Sequence, residues 1–208
     1  MVNYSAWCLR CRNCRLHRWH ESRRSHHFED GNLRSADRVP CSDIPDNSSL
    51  FLNIGTTTEA VARELLGHRN LTVVTNNMNV ANILVANESC EIMVAGGVLR
   101  RSDGGLVGDL TAQFIEQFKV DFAIIGASAL DADGDLLDFD LQEVRVSQAL
   151  IRRARRTFLV ADASKFQRSA PVRIVSLRDI DALYTDKPLP AALTAQCREW
   201  ETEVALSA

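Results

Sequence analysis

The sequence predicts an α/β fold built on a mostly parallel sheet flanked by helices. Three observations carry that prediction. From Ser49 onward, short apolar runs alternate with segments whose apolar residues recur at helical spacing, the pattern of consecutive βαβ units. The run Phe122-Ala123-Ile124-Ile125 has no polar residue in alternation, as a strand covered on both faces requires. Five successive runs end in small, hydroxyl or amide residues, at the strand ends where an open α/β sheet binds its ligands.

The elements follow in order. Leu50-Phe51-Leu52-Asn53-Ile54 reads as the first strand, turning through Gly55, Thr56, Thr57 and Thr58 into an amphipathic helix with Val61, Ala62, Leu65 and Leu66 on one side. Leu71-Thr72-Val73-Val74-Thr75 is the second strand; Asn76 and Asn77 follow it, and then a helix over 78–87. The third, Glu91-Ile92-Met93-Val94-Ala95, stops at Gly96-Gly97. Residues 98–108 read as an irregular insertion or a hairpin, and 110–118 return to helical spacing with Ala112, Phe114, Ile115 and Phe118. The fourth strand ends at Gly126-Ala127-Ser128, a turn-rich stretch fills 131–135, and a long helix runs over 141–155. Thr157-Phe158-Leu159-Val160-Ala161 is the fifth strand, closed by Asp162-Ala163-Ser164-Lys165. Short strands at 172–176 and 182–185, a helix at 190–200 and a last strand near Val204 complete the chain.

The 208 residues are 46% hydrophobic and 25% charged, the composition of an ordinary soluble globular protein. No apolar run reaches the ~20 residues of a membrane span and no signal-peptide core follows Met1, so a cytoplasmic protein is expected. The net charge of -3 hides an asymmetry. Residues 1–41 hold eight Arg against four acidic residues, together with four of the six Cys and four of the five His, and have almost no periodic apolar pattern. We therefore divide the chain into an atypical, disordered Arg/Cys/His-rich segment, 1–42, and a folded domain, 43–208.

The loop after the first strand points most directly to chemistry. The first turn of a helix leaves backbone N–H groups without acceptors and carries roughly half a positive charge, which favours a phosphate. Gly55 permits close approach and the threonines add donors. The same residues also fit a plain helix cap, with Glu59 as capping partner.

The stretches IGTTTEAVA (54–62), VTNNMNVANIL (74–84), AGGVLRRSDGGLVG (95–108), FIEQFKVDFAIIGASALDADGDLLDFD (114–140), EVR (143–145), ADASKF (161–166) and DALYTD (181–186) together resemble the effector-sensing domain of DeoR-type bacterial transcriptional repressors. The resemblance covers about four-fifths of the chain. It implies a fold similar to ribose-5-phosphate isomerase and coenzyme A transferases, and a phosphorylated sugar or polyol as ligand, glycerol-3-phosphate foremost. It also implies a homo-oligomer, no cofactor and no metal. Gly55, Thr56, Thr57 and Thr58 become the implied phosphate cradle. Thr75, Asn76 and Asn77 would border the ligand hydroxyls, Gly96 and Gly97 would let the chain pass close by, and Lys165 would offer a cation. Asp103 and Gly104 match a loop that folds over the ligand, and Ser128 stands at the fourth strand end. Lys165 is equally a solvated surface charge, and Asn76 and Asn77 are equally caps of the following helix.

The isomerases carry carboxylates in the turn after the equivalent strand. Here that turn reads Ile125-Gly126-Ala127-Ser128-Ala129, without a base, so no catalytic residue is expected and Asp131 is the sole rescue candidate. A sugar-phosphate isomerase-like enzyme is the alternative. The alternate aspartates at 131–135 lack the calcium-loop offsets and read as a solvated turn.

Family members normally begin with a winged helix-turn-helix, and residues 1–42 do not read as one. Three readings compete: a frame shift or wrong start that replaced the DNA-binding half; a zinc site on Cys8, Cys11, Cys14 and His17, spaced too tightly to close a tetrahedron readily; and a basic arm held by nucleic-acid phosphates. DNA is thus a partner of intact relatives, and doubtful for this chain.

Overall fold

In the computed structural model, which describes residues 39–206, the apolar runs align as one seven-stranded parallel sheet. A short helix α1 (Val39–Ser42) leads to β1 (Ser49–Leu52), α2 (Thr56–Glu64), β2 (Thr72–Thr75), α3 (Met78–Leu84) and β3 (Glu91–Val94). A hairpin of β4 (Val98–Arg100) and β5 (Gly105–Val107) precedes α4 (Asp109–Ile115) and β6 (Val120–Ile125). Then come β7 (Ala129–Leu130), β8 (Asp135–Asp138), α5 (Leu141–Arg152), β9 (Ala154–Val160), β10 (Val172–Ser176), β11 (Ala182–Thr185), α6 (Ala191–Glu199) and β12 (Glu203–Leu206). The main sheet has the order β12-β11-β9-β6-β1-β2-β3.

Burial on both faces explains the non-alternating runs. Leu50 and Leu52 point into a core shared with Val61, Leu65, Val80 and Leu84 of α2, α3 and the turn after α2. Phe51, between them, points into the opposite core with Ile115, Val144, Leu150 and Leu193 of α4, α5 and α6. All three β1 side chains are fully buried, each worth roughly 1.5–3 kcal/mol of transfer free energy. The edge strands β3 and β12 are partly exposed, as their mixed residues require.

The structure departs from the sequence reading chiefly in two places. The helix expected to reach residue 155 ends at Arg152, because Ala154 already pairs with Val120 in the sheet. The strand at 172–176 lies outside the main sheet; it pairs antiparallel with β8 in a separate three-stranded sheet, β10-β8-β7. The acidic stretch 131–135 is a turn, as expected, and leads from β7 into β8; Asp131 Oδ1 holds it by accepting from the Asp133 and Asp135 amides at 3.0 and 2.8 Å. Of the two forms expected for 98–108, the chain takes the hairpin.

The chain enters the domain through well-bonded residues. Cys41 is buried, with its Sγ 3.7 Å from the Val61 carbonyl, and His68 Nε2 lies 3.0 Å from the Cys41 carbonyl. Tyr184 donates to Asp43 Oδ2 at 2.5 Å and continues an aromatic row with Phe158 and Phe122. Among the described residues no helix is long and apolar enough to cross a membrane. The frame-shift, zinc and basic-arm readings, with Cys8, Cys11, Cys14 and His17, lie outside the described residues.

Candidate functional site

From β1 the chain moves outward one way, to β2 and β3; from β6 it moves the other way, to β9, β11 and β12. The carboxyl ends of β1 and β6 therefore flank a topological switch point, the place where an open α/β sheet leaves a crevice. All five polar strand ends lie at this edge, since β9, β6, β1, β2 and β3 are consecutive parallel neighbours. Asn53 ties its centre together: its Oδ1 accepts from the Gly126 amide at 3.0 Å and its Nδ2 reaches Ser147 Oγ of α5 at 3.5 Å.

Gly55 caps α2 with φ 141°, a conformation that favours glycine, and no side chain caps the helix. A Cβ added there would touch only Thr58 Oγ1, at 3.7 Å, so the space over the turn is open. The first-turn amides consequently face it without side-chain competition. Thr56 is exposed and Thr57 half-buried. Thr58 differs from its neighbours: it is fully buried, and its hydroxyl is directed at the carbonyls of Asn53 (2.8 Å) and Gly55 (2.7 Å). It shapes the loop.

The β4–β5 hairpin folds back over the end of β2. The Leu106 amide donates to the Asn76 carbonyl at 2.7 Å, the Met78 amide donates to the Gly104 carbonyl at 2.9 Å, and Asn77 bridges Gly105. Gly105 lies so close to Ile54 that a Cβ would stand 2.4 Å from its Cδ1. Thr75 Oγ1 is spent on the Leu52 carbonyl. Asn77 Oδ1 caps α3 by accepting from the Asn79 and Val80 amides, the capping role that its sequence position allowed. Asn76 Nδ2 donates to the Leu106 carbonyl at 3.0 Å. Each amide keeps one unused end: Asn76 Oδ1 and Asn77 Nδ2 are buried without a partner.

Arg100, Asp140 and Glu143 form a cluster with the expected Asp103, and none of those three was expected from sequence. The Arg100 guanidinium binds Asp103 at 2.6 Å, Asp140 at 3.1 Å and Glu143 at 2.5 Å, pinning the hairpin to the start of α5. Asp138, buried beside them, accepts from Ser128 Oγ at 3.0 Å and from the Phe139 amide at 2.6 Å. Burial, and after it the charge of Asp138, push the Glu143 carboxyl up to about 7 in spite of Arg100. Burial also raises Asp103, but the hydrogen bonds from Arg100 and the Gly105 amide outweigh it and hold that carboxyl below its ordinary value. The sequence reading looked for a carboxylate in the 126–129 turn; the structure supplies Asp138 and Glu143 from β8 and α5 instead. The signal lies in the DFD and EVR stretches, whose acidic residues form no local motif. Asp131, the rescue candidate, is occupied by its own turn.

The remaining positions are less central. Gly96 is exposed with nothing within 4 Å of an added Cβ. At Gly97 a Cβ would fall 2.0 Å from Thr111 Oγ1, so packing of α4 already requires the glycine. Lys165 is half-buried on a 3-10 turn over Ala163–Gln167, which packs on β7 next to Ser128. A cleft of ≈ 380 Å³ lined by Glu116, Arg152 and Arg153 lies at the opposite edge of the sheet, where β6 and β9 begin.

Residues 39–187 match the family described as the DeoR C terminal sensor domain. The glycerol-3-phosphate regulon repressor of Escherichia coli (strain K12) is 47% identical over 175 residues, 84% of this chain and 68% of that protein. The repressor of the same name from Haemophilus influenzae is 51% identical over 163 residues, 78% of this chain and 63% of that protein. The chain thus matches about two thirds of the length of these relatives. Among solved structures, eIF2B beta from Chaetomium thermophilum superposes with a TM-score of 0.52 at 15% identity, over 72% of this chain and 47% of that one, a likeness of fold alone.

Proposed function

This chain belongs to the family of DeoR C-terminal sensor domains, and from that premise we propose that it binds a small phosphorylated sugar or polyol, glycerol-3-phosphate first, as the effector of a transcriptional repressor. The observation that carries the reading is the uncapped amino end of α2, open to solvent at the switch point between β1 and β6. A phosphate seated there meets first-turn amides and the Thr56 and Thr57 hydroxyls. In the repressor, the effector acts by binding the DNA-released state more tightly than the DNA-bound state, since a ligand without that difference shifts nothing. The protein works in the cytoplasm as a homo-oligomer.

Calorimetric titration with glycerol-3-phosphate, fructose-1-phosphate and ribose-5-phosphate tests this. Saturable binding of at least one is expected, and Thr57→Val weakens it by about 1–3 kcal/mol through loss of a donor to a buried acceptor. Absence of binding to the whole panel refutes the proposal. The isomerase-like alternative retains one specific support, the Glu143 carboxyl poised near neutrality. Because Glu143 is engaged by Arg100 and Asp138 by Ser128, we expect no turnover of ribose-5-phosphate in a coupled assay at high protein concentration.

A further inference from the structure

Linked side chains and amides border the crevice, and its two sides differ in charge. Starting at Asn53, the links pass to Gly126, then along the chain to Ser128, which bonds Asp138. Asp138 acts electrostatically on Glu143, Glu143 binds Arg100, Arg100 binds Asp103, Asp103 accepts from the Gly105 amide at 3.1 Å, and Gly105 rests against Ile54 beside the starting point. On the β1 side stand Gly55 and the amino end of α2. On the opposite side Asp103, Asp140 and Glu143 bind the Arg100 guanidinium and Asp138 bonds Ser128, a surplus of carboxylate even with Lys165 on the neighbouring turn. At the end of β2, one buried acceptor (Asn76 Oδ1) and one buried donor (Asn77 Nδ2) are unpartnered, 1% and 0% exposed. That pair suits a hydroxyl, which donates and accepts at once.

We infer that this crevice selects effectors with a single anionic group: the phosphate lies at α2, the hydroxylated remainder lies against Asn76, Asn77 and the carboxylates, and Asp138 with Glu143 repels any second anion. The inference rests on the proposed phosphate-ester reading and adds the chemistry of the ligand's far end. A second phosphate or carboxylate beside these groups meets like charge in a partly desolvated space, where repulsion is screened far less than in water. The groups facing Glu143 are Asp138 from β8, Asp103 and Arg100 from the hairpin, and Asp140 at the cap of its own helix. Selectivity must therefore sharpen as pH rises past the titration of Glu143.

A matched pair of ligands tests this: sn-glycerol 3-phosphate and 3-phosphoglycerate, which differ in a carboxylate replacing the terminal CH2OH. For the full chain at pH 8, titration calorimetry is expected to give at least tenfold tighter binding of the glycerol ester. The ratio should fall at least threefold in Asp138→Asn, in Glu143→Gln, and in the unaltered protein at pH 6, with circular dichroism verifying the fold of each variant. The pH arm needs no substitution and decides the matter if a variant fails to fold. Equal binding of both esters at pH 8, or a ratio unmoved by all three changes, overturns the inference while leaving the phosphate-ester reading intact. If neither these esters nor the sugar phosphates bind, both fall together.

Discussion

Thr58 and Glu143 show how side chains at one crevice divide between holding it and reading a ligand. The Thr58 hydroxyl has one proton and two carbonyls within 2.8 Å, so Thr58→Val should cost about 1 kcal/mol of stability, read as a lower urea midpoint. Glu143 behaves differently because its folded pKa is raised, to about 7. A raised value means the folded state holds the proton more tightly, so stability from this group is complete below its ordinary pKa and is lost as pH rises from about 4.5 through 7. Across that window the native protein should lose up to about 3 kcal/mol relative to Glu143→Gln, measured as diverging denaturant midpoints. Parallel pH profiles would show that Glu143 is solvated in the folded state. The phosphate end of the site was legible in sequence, since a glycine followed by three threonines after an apolar run is a local signal. The carboxylate end was not: Arg100 meets Asp140 and Glu143 across forty residues and more, and nothing local announces such a pairing.

The hairpin is held to α5 through a single side chain, Arg100. Val98 and Leu99 on β4 are exposed, so burial of that strand contributes little. Its attachments include the backbone bonds from Leu106 and to Gly104, the Asn76 Nδ2 donation to the Leu106 carbonyl, the Asn79 Nδ2 donation to the Asp103 carbonyl at 3.1 Å, and the Arg100 cluster. Removing the guanidinium strands partly buried carboxylates and loosens the hairpin from α5. Arg100→Gln should therefore speed amide exchange at Leu106 and Met78 at least tenfold, while Phe51 and Ile124, inside β1 and β6, keep the wild-type rate. Uniform acceleration would mean that the cluster stabilises the whole domain. Helix and strand identities along this region were readable from periodicity. The three-stranded sheet was not, because β7 and β8 are too short to show alternation and β10 looks like any other apolar run until its partner is known.

At the scale of the whole domain, the order of strands decides more than any residue. Five polar loops spread along 110 residues of sequence become one rim because their strands are parallel neighbours, a step the sequence supported by the equivalent position of each loop. The two rims of the sheet differ: carboxylates gather where β1 and β6 end, and Arg152, Arg153, Arg155 and Arg156 stand where β9 begins. The incoming segment is also fastened by Tyr184 of β11, whose phenol burial and then Asp43 push upward, so that alkaline ionisation is resisted. Tyr184→Phe should cost about 1 kcal/mol, lost equally by the native protein as pH climbs through 10 and beyond. An unchanged alkaline midpoint in the variant would detach Asp43 from that role. One helix, finally, serves two masters. The head of α2 is the proposed anchorage for an anion, while its Val61 carbonyl, and His68 in the turn beyond its end, hold Cys41. At 1.5 Å per residue it works as a connecting rod roughly 14 Å long. An occupant at its head would therefore sit on the same rigid element whose Val61 carbonyl holds Cys41.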